Sequence, residues 1–403
     1  MRVGIEKLRV YPCSMALDMD KLCAARGHDL ADIRDTMMID QRSVNPPYED
    51  PVTMAVNAAK PLLSDVDRRS IELLIVATES GVDQEKPIST WVHRYLGLPP
   101  NCRNFEVKHA CYGGTAALVM AASWLASGLA GRGKALVITT DQSRAHFGKP
   151  YEFVMGAGAA AMLVSAEPRL LELELGAAGY YTNEVSDLTR PTSRVETGNS
   201  ETSLLSYLDG LEGAYEHYVE RVGKPDFTKI IYHTPFGGIT FLAHKELLRR
   251  DTSLSNREAW RHFASRSLPA LRYLRRMGGT YSSSTFVGML GMVDTAEDLS
   301  PGDRVGIYSY GSGSCAELYS VLIGHQARTV SAEAELGALL DQRYPLTVAE
   351  YESVERERDT QIDAGDYETS KTGYGDWYDR HYRDRGYLVF HGMREHYRQY
   401  GWS

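Results

Sequence analysis

The residues best suited to chemistry are a cysteine, a histidine and a glutamate, each at the end of a predicted strand. Cys111 stands between the predicted strand Asn104–Lys108 and an uncharged predicted helix that starts near Gly114. The first amides of a helix lack partners and its dipole is positive there, so this position favours a nucleophilic thiolate. Gly113 and Gly114 let a substrate approach the backbone closely. The alternative is an inert buried thiol, which describes most free cysteines.

Two titratable residues also follow predicted strands. His233 lies in the segment YHTPFGG after a short apolar strand, and Glu79 lies in ATESG after the strand Ile71–Thr78. Strand ends of this kind border the ligand crevice of open α/β sheets, and a partly desolvated carboxyl there has a raised pKa suited to a base. Taken alone, either residue has an ordinary structural interpretation. Three strand ends that bring Cys111, Glu79 and His233 to one place form a stronger signal.

The elements that must position these residues alternate between strands and helices along the chain. This alternation predicts an α/β protein whose mostly parallel sheet is covered by helices, in two related halves. The polar tail has aromatic residues that need a surface to pack on, and its last stretch, Tyr387–Trp402, has the spacing of a helix. The predicted helices include Asp50–Leu63, Ser203–Val222 and Ile239–Arg250, and the predicted strands include Val3–Tyr11, Lys134–Thr140, Ala157–Ser165, Arg304–Tyr310 and Cys315–Ile323.

Composition excludes several classes of protein. Of 403 residues, 43% are hydrophobic and 24% are charged, which excludes intrinsic disorder, collagen and coiled coil. A net charge of −9 gives no general attraction for nucleic acid or anionic membranes. The uncharged stretch 109–131 is long enough to span a bilayer, but its Ala, Gly, Ser and Thr content favours a buried helix. Five widely spaced cysteines without zinc-ligand spacing and the absence of a signal-peptide pattern predict a cytoplasmic protein with free thiols.

Six segments together resemble the 3-hydroxy-3-methylglutaryl (HMG) synthase family: FEVKHACYGGT, YHTPFGG, ATESG, TTDQS, SYGSGSCAEL and EHYRQYGWS. The resemblance implies the thiolase fold, a five-layer αβαβα sandwich, and a homodimer. It implies a nucleophile-bearing half over residues 1–166, a histidine-bearing half over 167–325 and a polar C-terminal appendage over 326–403. The segments HACYGGTAAL and GYLVFHGMREHYRQYGWS resemble the branch that acts on acyl-carrier proteins in polyketide β-branching.

The same resemblance implies a role for each candidate residue. Cys111 would carry an acetyl group as a thioester, Glu79 would remove a methyl proton from it, and His233 would hydrogen-bond the ketone of the acceptor. The substrates would be carried on the phosphopantetheine of a donor and an acceptor acyl-carrier protein, or on coenzyme A, without a metal or redox cofactor. Backbone amides at Cys111 and in Ser283–Ser284 would contact the oxyanion. The implied substrate-binding residues are Tyr112, Gly113, Asp141, Asp187, Ser283, Ser284, Gly311 and Ser312.

One position departs from the family pattern. The family usually has Gly-Asn before the segment Tyr-x-Ser-Ser, whereas this chain has Gly278-Gly279 before Thr-Tyr281. The side-chain amide that contributes to acceptor binding is therefore lacking at Gly279, while Cys111, Glu79 and His233 are all present.

A basic segment predicts a docking surface for the carrier. Residues 245–276 hold nine Lys or Arg and three Asp or Glu, a local net charge of 9 − 3 = +6. Such a patch would steer an acidic carrier protein and hold the phosphate of its prosthetic arm, although coenzyme A phosphates suit it as well. A solvated helix face is the alternative. The predicted docking residues are Lys245, Arg249, Arg250, Arg257, Arg261 and Arg266.

Three other functions stay open from the sequence. A mevalonate-type synthase would use free acetyl-CoA and acetoacetyl-CoA. A condensing enzyme of the ketoacyl synthase or thiolase type would combine Cys with two His, or with His and either Asn or a second Cys, rather than with Glu and His. A non-catalytic relative would bind carriers only, and its expected signature is the loss of Cys111, Glu79 or His233.

Overall fold

The computed structural model describes residues 2–250 and 253–403. The strands are β1 Gly4–Tyr11, β2 Met15–Asp18, β3 Gln41–Val44, β4 Ile71–Ala77, β5 Arg103–Val107, β6 Lys134–Gln142, β7 Ala157–Ser165, β8 Leu171–Thr182, β9 Leu188–Thr189, β10 Thr197–Gly198, β11 Lys229–Tyr232, β12 Arg304–Gly311, β13 Cys315–Ile323, β14 Tyr344–Pro345, β15 Tyr367–Glu368, β16 Leu388–Arg394 and β17 Tyr397–Trp402. The helices are α1 Met19–Arg26, α2 Pro51–Ala59, α3 Asp65–Ser70, α4 Ile88–Leu96, α5 Gly113–Ala126, α6 Tyr151–Val154, α7 Ser200–Val222, α8 Gly237–Arg249, α9 Asn256–Arg266, α10 Leu271–Met277, α11 Ser283–Thr295, α12 Ala327–Glu333, α13 Leu336–Asp341, α14 Val348–Gln361 and α15 Trp377–His381.

The main sheet has nine strands in the order β11-β12-β13-β8-β1-β7-β6-β4-β5. One half, β5-β4-β6-β7-β1, comes from the start of the chain, and the other half, β8-β13-β12-β11, follows it. The halves join where β1 pairs with β8 through Gly4 and Ile5. The sequence-based prediction of a mostly parallel sheet is wrong, because only the pairs β4–β5, β4–β6 and β11–β12 of this sheet are parallel. Strand β1 runs against both of its neighbours, and β12 and β13 form a hairpin.

The helices pack on both sides of each half of the main sheet, and this arrangement gives five layers. Helices α5 and α11 lie in the middle, and their apolar residues form one core with residues of both sheet halves. The other side of the first half packs on α2 and α4. The other side of the second half packs on α7. The result is the thiolase fold, an αβαβα sandwich with a C-terminal appendage. Helices α5 and α11 can form its middle layer because they are apolar enough to be buried between the two halves of the main sheet.

The local sequence explains why α2 starts where it does. The Asp50 carboxylate accepts a hydrogen bond from the Thr53 amide at 2.9 Å, and the Thr53 hydroxyl accepts one from the Asp50 amide at 2.7 Å. Pro51 occupies the first helical position, where no amide hydrogen is needed. This reciprocal cap confirms the start predicted at Asp50.

The last part of the chain forms an antiparallel hairpin rather than the predicted helix. Strands β16 and β17 pair from Leu388↔Trp402 to Arg394↔Tyr397. Glu395 and His396 at the tip have φ of 50° and 65°, a left-handed conformation suited to a two-residue turn. The hairpin packs on α2, where the Arg398 guanidinium and the Tyr400 hydroxyl both donate to Asp50 Oδ2 at 2.8 and 2.6 Å. Cross-strand pairing and this anchorage outweigh the helical spacing of the aromatic residues.

The uncharged stretch 109–131 forms the buried helix α5 and the turns around it. Within the described residues, no helix combines the length and the apolar character that a bilayer crossing needs.

Candidate active site

Cys111 occupies a tight turn between β5 and α5. Ala110, just before it, has φ of 42°, and the Tyr112 and Gly113 amides both donate to the His109 carbonyl at 3.1 Å. Gly114 is required by close packing, since a Cβ there would lie 2.6 Å from Thr139 Cγ2 and 2.8 Å from Phe286 Cε2. The turn therefore holds the thiol at the start of the central helix layer.

The Cys111 thiol faces a carboxyl group. Its Sγ donates to Glu79 Oε2 at 3.6 Å. Burial, followed by the charge of Glu79, raises the pKa of Cys111 well above its ordinary value. The helix-dipole argument for a resting thiolate is therefore wrong for this site, because desolvation and nearby carboxylates outweigh the dipole. The resting nucleophile is a thiol with an adjacent proton acceptor.

Glu79 belongs to a pair of close carboxyl groups. Asp141 Oδ1 accepts hydrogen bonds from the Glu79 amide at 2.9 Å, the Thr78 hydroxyl at 3.0 Å and the Ser80 hydroxyl at 2.9 Å. Burial raises the pKa of both carboxyls, but the three bonds oppose this rise at Asp141. Burial, and after it the charge of Asp141, raises the pKa of Glu79, so this carboxyl can take up and release a proton near neutral pH.

His233 is buried directly after β11. Its Nδ1 lies 2.9 Å from Ser284 Oγ, and that oxygen accepts a hydrogen bond from the Thr234 amide at 3.3 Å. The serine hydroxyl can donate to Nδ1, and in that arrangement the proton of the neutral ring lies on Nε2. Burial lowers the pKa of His233 to about 3, so the ring is neutral at working pH and can donate from Nε2.

One short segment brings the histidine and the cysteine turn together. Ser282 Oγ donates to the Ala110 carbonyl at 3.0 Å, and Ser284 contacts His233 two residues later. The expected oxyanion contact from the amides of Ser283 and Ser284 is wrong, because these amides donate to the Thr280 and Tyr281 carbonyls at 2.9 and 3.1 Å. Instead, this segment positions His233 through Ser284.

The remaining candidates lie at different distances from the thiol. Tyr112 donates to Glu317 Oε2 at 2.6 Å, and Asp187 accepts from the Tyr310 hydroxyl and the Gly313 amide, both at 3.0 Å. Gly311 lies against the cysteine turn, since a Cβ there would be 2.6 Å from the Tyr112 amide. Tyr112, Asp187 and Gly311 thus adjoin the turn or stabilise the loops beside it, whereas Gly113 begins α5 and Ser312 is partly exposed. The side chain of Ser283 bonds to Thr139 at 2.7 Å.

Arg190 is a site residue that the sequence analysis missed. Its guanidinium donates to the Glu79 carbonyl at 2.6 Å and forms an ion pair with Glu196 at 2.8 Å. The signal available was a basic residue three positions after Asp187 in the segment DLTRP. Nothing in the spacing indicates that this loop folds back over β4.

The structure gives a reason for glycine at position 279. A Cβ at Gly279 would lie 2.4 Å from the Pro235 carbonyl oxygen, in the loop that follows His233. The Gly279 amide also donates to the Val154 carbonyl at 2.6 Å. The backbone approaches here too closely for a side chain, so an asparagine would displace one of these segments.

The predicted docking patch is less basic than its sequence suggests. Arg250 forms ion pairs with Glu212 and Glu216, and Arg266 donates to the Phe227 and Thr228 carbonyls at 2.8 and 2.7 Å. Arg249 pairs with Glu246 on the same helix at 3.3 Å. Acidic neighbours therefore partly offset the charges of Arg249 and Arg250, while Arg266 keeps its charge but is held by backbone carbonyls.

In the described part of the chain, no group of three or more His, Cys, Asp or Glu side chains has an arrangement that could hold a metal ion. All five cysteines are free thiols, and Cys111 and Cys315 are the partly exposed ones.

Comparison with known proteins identifies two family regions. Residues 1–168 match the N-terminal family model of hydroxymethylglutaryl-coenzyme A synthase, and residues 243–382 match the C-terminal family model. A polyketide biosynthesis 3-hydroxy-3-methylglutaryl-ACP synthase, PksG of Bacillus subtilis, is 38% identical over 366 residues, which are 87% of each chain. A hydroxymethylglutaryl-CoA synthase of Enterococcus faecalis is 34% identical over 369 residues, 90% of this chain and 94% of the relative.

Solved structures agree along the whole chain. The HMG synthase of the curacin biosynthetic pathway, in complex with holo donor-ACP, superposes with a TM-score of 0.94 at 38% identity and with full coverage of both chains. MvaS in complex with 3-hydroxy-3-methylglutaryl coenzyme A superposes with a TM-score of 0.89 at 31% identity, over 100% of this chain and 99% of the other. With two family models and relatives above 30% identity along most of its length, this chain belongs to the hydroxymethylglutaryl-CoA synthase family of acyltransferases.

Proposed function

We propose that this enzyme is an HMG synthase of polyketide β-branching that takes its substrates from acyl-carrier proteins. The observation that carries the proposal is the contact of Cys111 Sγ with Glu79 Oε2 at 3.6 Å, together with the buried His233, which the segment Ser282–Ser284 connects to the cysteine turn. Similarity to PksG and to the curacin synthase, which was solved with its donor-ACP, supports the choice of carrier.

The first step is acetyl transfer to the thiol. As Cys111 Sγ attacks the thioester carbonyl of the donor, Glu79 takes the thiol proton and passes it to the departing carrier thiol. A new thioester forms at Cys111, the donor thioester breaks, and Glu79 returns to its ionised form. A carboxyl with a raised pKa suits this shuttle because it can both accept and release a proton near neutral pH.

The second step forms the carbon–carbon bond. Glu79 removes a proton from the methyl group of acetyl-Cys111, and the resulting enolate carbon attacks the β-ketone of the acceptor. His233, neutral and with its proton on Nε2, donates to the ketone oxygen as that oxygen becomes an alkoxide. The proton that Glu79 took from the methyl group then passes to this oxygen, which gives the tertiary alcohol and leaves Glu79 ionised. Water then cleaves the Cys111 thioester, which restores the thiol and releases a carboxylate. The product is a 3-hydroxy-3-methylglutaryl-type thioester on the acceptor carrier.

The test is acetylation of Cys111 followed by mass spectrometry, with acetyl-carrier protein and acetyl-CoA supplied in parallel. We expect faster loading from the carrier protein, and equal loading from both donors would remove the basis of the polyketide assignment. The E79A variant should still be acetylated, at a lower rate because Glu79 no longer takes the thiol proton, but should condense at least about a hundredfold more slowly. Normal condensation by E79A would favour a ketoacyl synthase or thiolase-type mechanism instead.

The mevalonate-type reaction with free coenzyme A substrates is the second candidate, because the Enterococcus faecalis relative is 34% identical over 90% of this chain. Loading of Cys111 from acetyl-CoA alone would select it. A protein that is never acetylated by either donor would be a carrier-binding relative without catalytic activity.

We further propose a homodimer, and a division of the chain into halves 1–166 and 167–325 with an appendage over 326–403. Strand β5 is one of the two outer strands of the main sheet, so one of its edges has no partner strand among the described residues. Phe105 and Val107 on this strand are only partly buried. A second copy that pairs along β5 would extend the sheet and cover both side chains.

A further inference from the structure

A chain of charged side chains covers the backbone of Glu79 from the loop between β8 and α7. Arg190 Nη1 donates to the Glu79 carbonyl at 2.6 Å, while Arg190 Nη2 pairs with Glu196 at 2.8 Å. On its far side, Glu196 lies 3.6 Å from His146 Nε2. The side chains of Arg190, Glu196 and His146 are 15%, 14% and 5% exposed, so solvent screens the charges of Arg190 and Glu196 only weakly.

The loop that supplies Arg190 and Glu196 contains a small two-stranded sheet. Strands β9 and β10 pair Thr197 with Thr189 and Gly198 with Leu188. Arg190 follows β9 directly and Glu196 precedes β10, so the two side chains leave the same end of this sheet. The hairpin therefore presents the ion pair to Glu79 as a unit.

We propose that Arg190 and Glu196 are positioning residues that hold the Glu79 backbone over Cys111 and set the charge of its carboxyl through opposed electrostatic effects. The inference rests on the function proposed above, in which Glu79 moves the protons. Arg190 favours the ionised carboxylate of Glu79, and Glu196 opposes it. A hydrogen bond from a charged donor to the Glu79 carbonyl also restricts where its carboxyl can reach.

The electrostatic contributions have known directions. Arg190 lowers the pKa of Glu79, whereas Asp141 and Glu196 raise it. Although burial opposes it, contact with His146 and Arg190 lowers the pKa of Glu196 to about 2, so Glu196 stays ionised at working pH.

The groups that face Glu79 come from four elements. They are Asp141 from β6, Cys111 from the turn before α5, Arg190 and Glu196 from the β8–α7 loop, and Tyr281 from the turn before α11.

The test measures condensation against pH in the R190Q and E196Q variants. Condensation needs ionised Glu79, so the condensation rate falls as the pH drops through the pKa of that carboxyl. This fall is the acidic limb of the pH–rate profile. R190Q removes a cation and should move this acidic limb upward by about one pH unit, while E196Q removes an anion and should move it downward by a similar amount. A loosened loop would admit water and lower the pKa of Glu79, so the upward shift of R190Q separates electrostatics from simple disorder.

R194Q is the matched control. Arg194 lies in the same loop and carries the same charge, but it pairs with Asp359 and Asp363 on the appendage. Its acidic limb should coincide with that of the wild type. If R190Q and E196Q also keep the wild-type limb, the inference is overturned.

R190K keeps the test decisive if R190Q does not fold. Lysine retains the charge but has no forked guanidinium to hold the Glu79 carbonyl and Glu196 together. R190K should keep the wild-type acidic limb and the KM for both carriers, with a kcat about tenfold lower. A kcat equal to that of the wild type would contradict the positioning role. Failure of the wild type itself to condense would instead overturn the proposed function.

Discussion

The site combines three groups whose ordinary acid–base behaviour is changed by burial. The pKa of Cys111 rises, that of Glu79 rises, and that of His233 falls to about 3. The resting site therefore holds a thiol, a carboxyl that can carry a proton, and a neutral imidazole. Each group is poised to move or share a proton rather than to bear a fixed charge.

Replacement of Ser284 by alanine should slow condensation and leave acetylation unchanged. Without the hydroxyl, Nδ1 of His233 loses its partner at 2.9 Å, and the proton is no longer directed to Nε2. We expect a kcat for condensation about tenfold lower. Steady-state condensation and single-turnover acetylation are the two measurements, with the exposed serine variant S300A as control. Equal losses in both steps would contradict a role confined to His233.

Neutral His233 also has a consequence for pH dependence. Because its pKa is lowered to about 3, protonation of this ring should not affect condensation between pH 5 and pH 8. The acidic limb in that range should therefore persist in H233N, at lower rate, and disappear in E79A. Rate profiles of both variants check this, and a limb that vanishes in H233N would assign it to the histidine.

Replacement of Gly279 by alanine should destabilise the protein. The new Cβ would lie 2.4 Å from the Pro235 carbonyl oxygen, so the backbone on one side must move. We expect the free energy of unfolding to fall by about 1–3 kcal/mol in denaturant titrations. G337A is the matched control, since the nearest atom to a Cβ there is 3.7 Å away and alanine favours the helix α13. Equal stability of the two variants would contradict the close-approach argument.

At the scale of elements, strand ends were predictable and long-range partners were not. Continuous apolar runs located β4, β6, β7 and β12 within two residues, because strands buried on both faces leave a clear pattern. The cap at Asp50 was also readable, since it depends on neighbouring residues. The hairpin β16–β17 was missed because its pairing and its anchor on Asp50 are distant in sequence. Arg190 was missed for the same reason, as its partner Glu79 lies 111 residues away.

The hairpin anchor should contribute measurably to stability. Arg398 pairs with Asp50 in a part of the structure where their side chains are 16% and 5% exposed. R398M leaves the buried Asp50 carboxylate without its cation, so we expect the free energy of unfolding to fall by about 3 kcal/mol. Denaturant titration of R398M and of R394M, an exposed arginine on the same hairpin, provides the comparison. A loss below that of R394M would show that the pair adds no net stability.

At the scale of the whole molecule, the proposed dimer should be visible as mass. Sedimentation or light scattering should give twice the chain mass of 44.9 kDa, because pairing along β5 covers the free edge of the main sheet. The mass should be measured at several protein concentrations, since a weak dimer would dissociate on dilution. A single-chain mass at all concentrations would leave the β5 edge uncovered and contradict the proposal.

The bonds from Arg398 and Tyr400 to Asp50 join residues 348 and 350 positions apart. The ribosome makes α2 and its capping residue Asp50 long before Arg398 and Tyr400. The Asp50 carboxylate therefore stays in water while the residues between them are being made. The first half can thus acquire its finished outer layer only after Arg398 and Tyr400 have been made. Until then, the apolar face that the hairpin covers is available to chaperones or to misassembly with another nascent chain.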